Sequence, residues 1–259
     1  MDRSYLSQPE VIAASRDFVC VRLMTYEDPF ENDFLKAFDI TRSGEVENTT
    51  FTILAPDGKK PLVRTTRSAK GAFRDAAQMA ESMARIAKQY PGKPATADVP
   101  PLPTVATVRL AVDVAAADNQ PLVIVVAEDE TVRRQLTDRL RPLAWGERFR
   151  GRFTYAAAAG AKDLAVVEGS KPVAGILVVE PSKFGLSAAT LTHVVATASA
   201  DELASGLADG LAKFHRTAAE HGSHVRSGKQ QGAFWDTALP VTDPQEKRAR
   251  QSGPSPRPE

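Results

Sequence analysis

A single cysteine, Cys20, stands in the 259 residues, so the chain closes no internal disulfide, still less a disulfide framework. Neither sign of charge prevails. Thirty-three Lys and Arg against 32 Asp and Glu leave +1, which gives no electrostatic case for nucleic acid or a membrane surface as partner. No apolar run approaches the roughly 20 residues of a membrane-spanning helix, and no basic start followed by an apolar stretch marks a leader. No Gly-x-Gly-x-x-Gly or Gly-x-Ser-x-Gly follows a strand-like run, and no Walker-type Gly-Lys-Ser/Thr occurs. Dinucleotide-binding, hydrolase and kinase readings therefore lack their motifs. What remains is an ordinary globular composition, 42% hydrophobic and 25% charged, which excludes wholesale disorder.

Proline sets the organisation. Residues 91–103 hold five prolines and read as a linker, because neither a helix nor a central strand tolerates them. They divide the chain into a first block, 1–90, a second, 104–220, and a C-terminal arm and tail, 221–259. In the first block Ser7-Gln8-Pro9-Glu10 predicts a capping box and a short helix. Phe18 to Met24, nearly continuous in apolar character, predicts a strand covered on both faces. Phe30, Phe34 and Phe38 mark a helix. Thr49–Leu54 and Pro61–Thr65 read as a hairpin about Pro56-Asp57-Gly58. The stripe of Phe73, Ala76, Ala77, Ala80, Met83, Ala84 and Ala87 predicts a long amphipathic helix.

The second block repeats that order behind a strand–helix–strand unit. Leu122–Val126 is a buried strand by composition, and Asp129 caps a helix carrying Val132, Leu136 and Leu140. Phe153–Ala157, Gly175–Val179 and Leu191–Ala196 are further strands. Ser199-Ala200-Asp201-Glu202 is a capping box opening a helix with Leu203, Leu207, Leu211 and Phe214 on one face. Both blocks thus end in strand, turn, strand, amphipathic helix.

That order resembles the thioredoxin-like fold. The resemblance implies an α/β chain of two tandem thioredoxin-like domains, the first lacking its N-terminal strand–helix unit, plus the arm. Thioredoxin-like oxidoreductases need a Cys-x-x-Cys at the start of the first helix, where the helix terminus activates the thiol. Here the corresponding position of the second block reads Ala127-Glu128-Asp129-Glu130-Thr131, so dithiol exchange there is excluded by composition. The family's proline before the third strand is also displaced: Thr49-Thr50 stands in the first block, and Pro172 comes early in the second.

The resemblance therefore implies a redox-inactive binding or scaffold protein with no cofactor, placed in the cytoplasm by its lone thiol. A second reading makes the chain part of a thiol–disulfide oxidoreductase with its Cys-x-x-Cys upstream of Met1, and then periplasmic or secreted. Cys20 itself is expected to be a buried core residue of the Phe18–Met24 strand. His215, His221 and His224 suggest metal handling as a third reading, although their spacing is no recognised zinc pattern and histidines near a helix C-terminus are favourable in their own right. The arm carries Arg226, Phe234 and Trp235, and apolar side chains are costly to leave in water. It is expected either to pack on its own chain or to dock on a protein partner or a second copy, where Trp and Arg are favoured anchors.

Overall fold

The computed structural model describes residues 2–23, 28–38, 49–92, 99–169, 173–217 and 220–233. It is a mixed α/β structure whose chain divides into two compact units, with the break between residues 94 and 95.

In the first unit a helical turn at Asp2–Leu6 precedes α1 (Pro9–Ser15), α2 (Pro29–Lys36), α3 (Ala69–Ala72) and α4 (Ala76–Gln89). The helix forms, but its inward face differs in part from the expected stripe: Ala77 and Ala84 are exposed and Met79 is buried. Ala76, Met79 and Met83 turn inward onto Tyr5, Val11, Ile53 and Phe73. Asp75 caps α4 by accepting the Gln78 amide at 2.8 Å. That bond, then the Arg74 guanidinium, holds the Asp75 carboxyl below the usual carboxylate range. The Tyr5 hydroxyl donates to the carbonyls of Phe73 and Arg74 at 3.1 and 2.9 Å. The expected capping box at Ser7 is absent: α1 starts at Pro9, with Gln8 in the cap position and no side-chain cap.

Three expectations for this unit are corrected. Residues 18–23 form no strand, and Val19 and Val21 are 92% and 70% exposed. Cys20 is exposed as well, not buried in a core strand; its thiol reaches only the Ser15 carbonyl, at 3.9 Å. The reason is that β-propensity describes fitness for a half-buried pleated surface, and among the described residues no strand lies in a ladder with this segment. The hairpin is likewise reduced to two antiparallel bridges, Phe51 with Thr66 and Leu54 with Pro61. Its turn is present, with Gly58 at φ +70 and its amide donating to Ala55 at 2.9 Å.

The second unit runs β1 (Thr104–Val105), α5 (Val108–Asp118), β2 (Leu122–Val126), α6 (Glu130–Trp145), β3 (Thr154–Ala158), β4 (Val167–Glu168), β5 (Gly175–Pro181), β6 (Ala188–Val195), α7 (Ala200–Lys213) and α8 (His221–Gln230). The sheet order is β1-β3-β2-β5-β6-β4. β2 lies parallel to β3, Leu122 opposite Thr154, and antiparallel to β5, Leu122 opposite Val179. Val123 and Val125 face a cluster with Leu136, Leu140, Leu203 and Leu207 of α6 and α7. Leu122, Ile124 and Val126 face Val108, Ala111, Val112 and Ala115 of α5. The sheet is therefore covered on both faces, as the unbroken apolar run of β2 requires.

The strand–helix contact of α7 depends on a missing side chain. A Cβ at Gly210 would sit 2.6 Å from Cγ1 of Val178, which is fully buried in β5. Gly210→Ala is expected to destabilise the protein by about 1–3 kcal/mol through overpacking, measured by chemical denaturation. Adding Val178→Ala should recover part of that loss, whereas strictly additive losses would mean the two positions do not press on one another.

Candidate functional site

The carboxyl ends of parallel strands are where open α/β sheets place ligands, and here β2 delivers the chain into the N-terminus of α6. Ala127, buried, closes the strand by donating to the Ala158 carbonyl at 3.1 Å. Three exposed carboxylates follow, Glu128, Asp129 and Glu130, and each has an assignable occupation. Asp129 accepts the Val132 amide at 2.9 Å as the cap of α6. That bond, then the Thr131 amide, holds its carboxyl below the usual range. Glu130 pairs with Arg134 one turn on, at 3.3 Å. Glu128 borders Gly160, whose position in the next loop leaves room for the glutamate side chain. The Ala127 carbonyl is taken by the Arg133 guanidinium at 2.6 Å. Residues 127–131 hold no sulfur and no imidazole, so they supply neither a thiol nucleophile nor a histidine base.

The remaining site candidates scatter. His215 lies just past α7, 87% exposed, with Nδ1 3.7 Å from Glu180; its backbone amide donates to the same carboxylate at 2.9 Å. His224 sits on α8 with its ring 4.8 Å from that of Phe184, and its Nδ1 is buried without a partner. The His221 side chain falls outside the described residues. Among the described residues no three His, Cys, Asp or Glu side chains come together as a metal set. Phe234 and Trp235 also lie outside the described residues, as does Pro172.

The beginning of the arm is better defined than its composition suggests. Glu220 caps α8 through the amides of Gly222 and Ser223, and Gly228 packs against the Phe184 ring. Upstream, Asn119 and Thr217 exchange two bonds of 3.0 Å, amide to carbonyl in each direction. Residues 214–217 and 220–233 are thus tied to the end of α5 and to the β5–β6 turn through Thr217 and Gly228. Arg226 stands exposed on α8.

Three arginines that belong to no sequence motif, Arg109, Arg139 and Arg141, are each engaged by backbone carbonyls. Arg109 donates to the Leu186 carbonyl at 3.0 Å, to Gly185, and to Asp113 beside it. Arg139 holds the carbonyls of Ala196 and Ala198. Arg141, joined by the Trp145 indole at 3.0 Å, holds Val99 and Pro100. These guanidinium groups clip loops to helices, which satisfies backbone acceptors that regular structure leaves open. Tyr155, buried in β3, carries a hydroxyl with no partner, and burial pushes its ionisation well upward.

Asp129→Ala is expected to lower the thermal midpoint at neutral pH by removing the α6 cap. The folded-state pKa lies below the unfolded one, so the contribution is present above the unfolded value, about 4, and fades as pH falls through the folded one. Melting parent and variant from neutral to acid pH should show the gap closing on acidification; a gap constant with pH would contradict the charged cap. Compared with known proteins, the chain matches no family model, no curated protein and no solved structure.

Proposed function

We propose that the chain is a thioredoxin-like binding module that performs no redox chemistry. The observation that carries this reading is the pairing of a strand order with an amino-acid substitution. β1, β3, β2, β5 and β6 lie side by side in that order, β5 antiparallel to both β2 and β6, with the two-residue β4 added parallel to β6 at the edge. The helices α5, α6 and α7 follow β1, β2 and β6 in turn. That order supports the thioredoxin-like reading, in which Ala127 to Thr131 stand where the reactive motif would be. The first unit lends no support to a second such domain, since its described residues hold no ladder of strands.

With the thiols replaced by a cap and an ion pair, what the fold retains is a rigid scaffold with accessible ends. A protein partner or a second copy then engages the arm, where Phe234 and Trp235 supply the apolar anchors and Arg226 the charged one. The exposed Cys20 does not alter the reading, because a single thiol lacks the resolving partner that dithiol exchange requires.

Two measurements test the proposal. Insulin disulfide reduction driven by a small thiol should run no faster with the full chain than with the thiol alone; turnover above that background would overturn the redox-inactive assignment. For the protein isolated from its own cells, Phe234→Ala/Trp235→Ala should reduce the native mass or strip a co-purifying protein while leaving the thermal midpoint unchanged. Unchanged mass and co-purification in that variant would remove the arm from the interface.

A further inference from the structure

We infer that the turn between α6 and β3 is a docking site for an acidic peptide segment, gripped by Arg148, Arg150 and Arg152. The inference rests on the binding-module reading and names the chemistry of one partner.

The turn is built to be stiff. Phe149 is buried at 2% exposure and anchors it. The amides of Phe149 and Arg150 both donate to the Gly146 carbonyl, at 3.1 and 2.9 Å, and that of Arg152 donates to Phe149 at 3.0 Å. Gly151 takes φ +71, a conformation that other residues adopt only with strain, and its carbonyl accepts from the Gln120 side chain at 3.2 Å. Alternate residues of this fixed backbone are arginines, and all three are exposed.

Their lack of partners sets them apart. In residues 99–169 every other arginine is engaged: Arg109, Arg133, Arg139 and Arg141 hold backbone carbonyls, and Arg134 holds Glu130. Among the described residues, Arg148 touches only the Phe149 ring, 5.1 Å from its centre, and the guanidinium groups of Arg150 and Arg152 make no hydrogen bond or ion pair. One carboxylate, Glu147, shares the turn. Three unengaged forks on a preorganised backbone suit successive carboxylates, because guanidinium pairs with them bidentately and little ordering entropy is lost on binding.

The alternatives fit less well. A single phosphate on so open a surface would stay solvated. Single-stranded nucleic acid would want an aromatic platform for its bases, yet Phe149 is buried, and a net charge of +1 over the chain offers no broad attractive field. An extended acidic segment needs neither.

The test is fluorescence anisotropy of a labelled deca-glutamate peptide with the full chain, beside deca-lysine and a polyuridine RNA. The parent should bind deca-glutamate, not deca-lysine, and more weakly as salt rises from about 50 to about 300 mM. Arg148→Gln/Arg150→Gln/Arg152→Gln should bind at least about tenfold more weakly with at most a small drop in thermal midpoint, since among the described residues the fold contact removed is that of the exposed Arg148 on the Phe149 ring. Arg134→Gln, at the other end of α6, should bind as the parent does. Equal binding by the triple variant, tighter binding of polyuridine, or no binding of deca-glutamate by the parent would each overturn the inference. None of these results bears on the insulin assay, so the failure of this site and the failure of the binding-module reading remain distinguishable.

Discussion

The five residues of β2 are enclosed on both faces by two apolar clusters and paired along both edges, to β3 and β5. That constraint organises the second unit. A fully buried Val, Leu or Ile contributes about 1.5–3 kcal/mol relative to an exposed one, and all five are at most 1% exposed. The same burial makes an unpaired amide or carbonyl in β2 very costly, so both neighbouring strands are obligatory. Helices must then cover both faces, and α5 on one side with α6 and α7 on the other do so. The close approach of Gly210 to Val178 and the arginine clips at Ala196, Ala198 and Gly185 follow as the means of holding those covers in place.

Chemistry at the end of β2 is decided by what the chain puts there. The first turn of α6 presents free amides and favours negative charge; in a dithiol enzyme that favour falls on a thiolate. In this chain Asp129 receives it as a structural cap, and the local electrostatics are spent on stability. At the far end of α6, on the turn after it, stand the exposed Arg148, Arg150 and Arg152.

Where the sequence was legible, two signals agreed. β2, β5, α6 and α7 show unbroken apolar runs or a clear helical stripe together with a cap, at Asp129 or Ser199. Phe18–Leu23 had only one signal, its composition, and composition states what a segment would do beside a partner strand without supplying one. Cys20 was misplaced for the same reason. α5 went unread because its inward face is largely alanine, with Ala111 and Ala115 completely buried but too small to stand out as a stripe; the Thr107 cap and the spacing of Val108, Ala111, Val112 and Ala115 were the available signs. β1 and β4, two residues each, are set by neighbours distant in sequence. α8 runs against local propensity, with two glycines and two serines among its residues, and is held by Glu220 and Phe184. At the functional level, the absence of a Cys-x-x-Cys at residues 127–131 was readable directly, whereas the engagement of Arg109, Arg139 and Arg141 depends on carbonyls distant in sequence.

The account stands on β2 as the last element to open and on Phe18–Leu23 as a strand-like segment without a sheet. Native-state amide hydrogen exchange addresses both at once. The amides of Val123, Ile124 and Val125 should be among the slowest, exchanging only with global unfolding, while those of Val19, Cys20 and Val21 should exchange at nearly the rate of an unfolded chain. Fast exchange in β2 would contradict the central place given to it, and strong protection at Val19–Val21 would mean that the segment has found a strand partner after all.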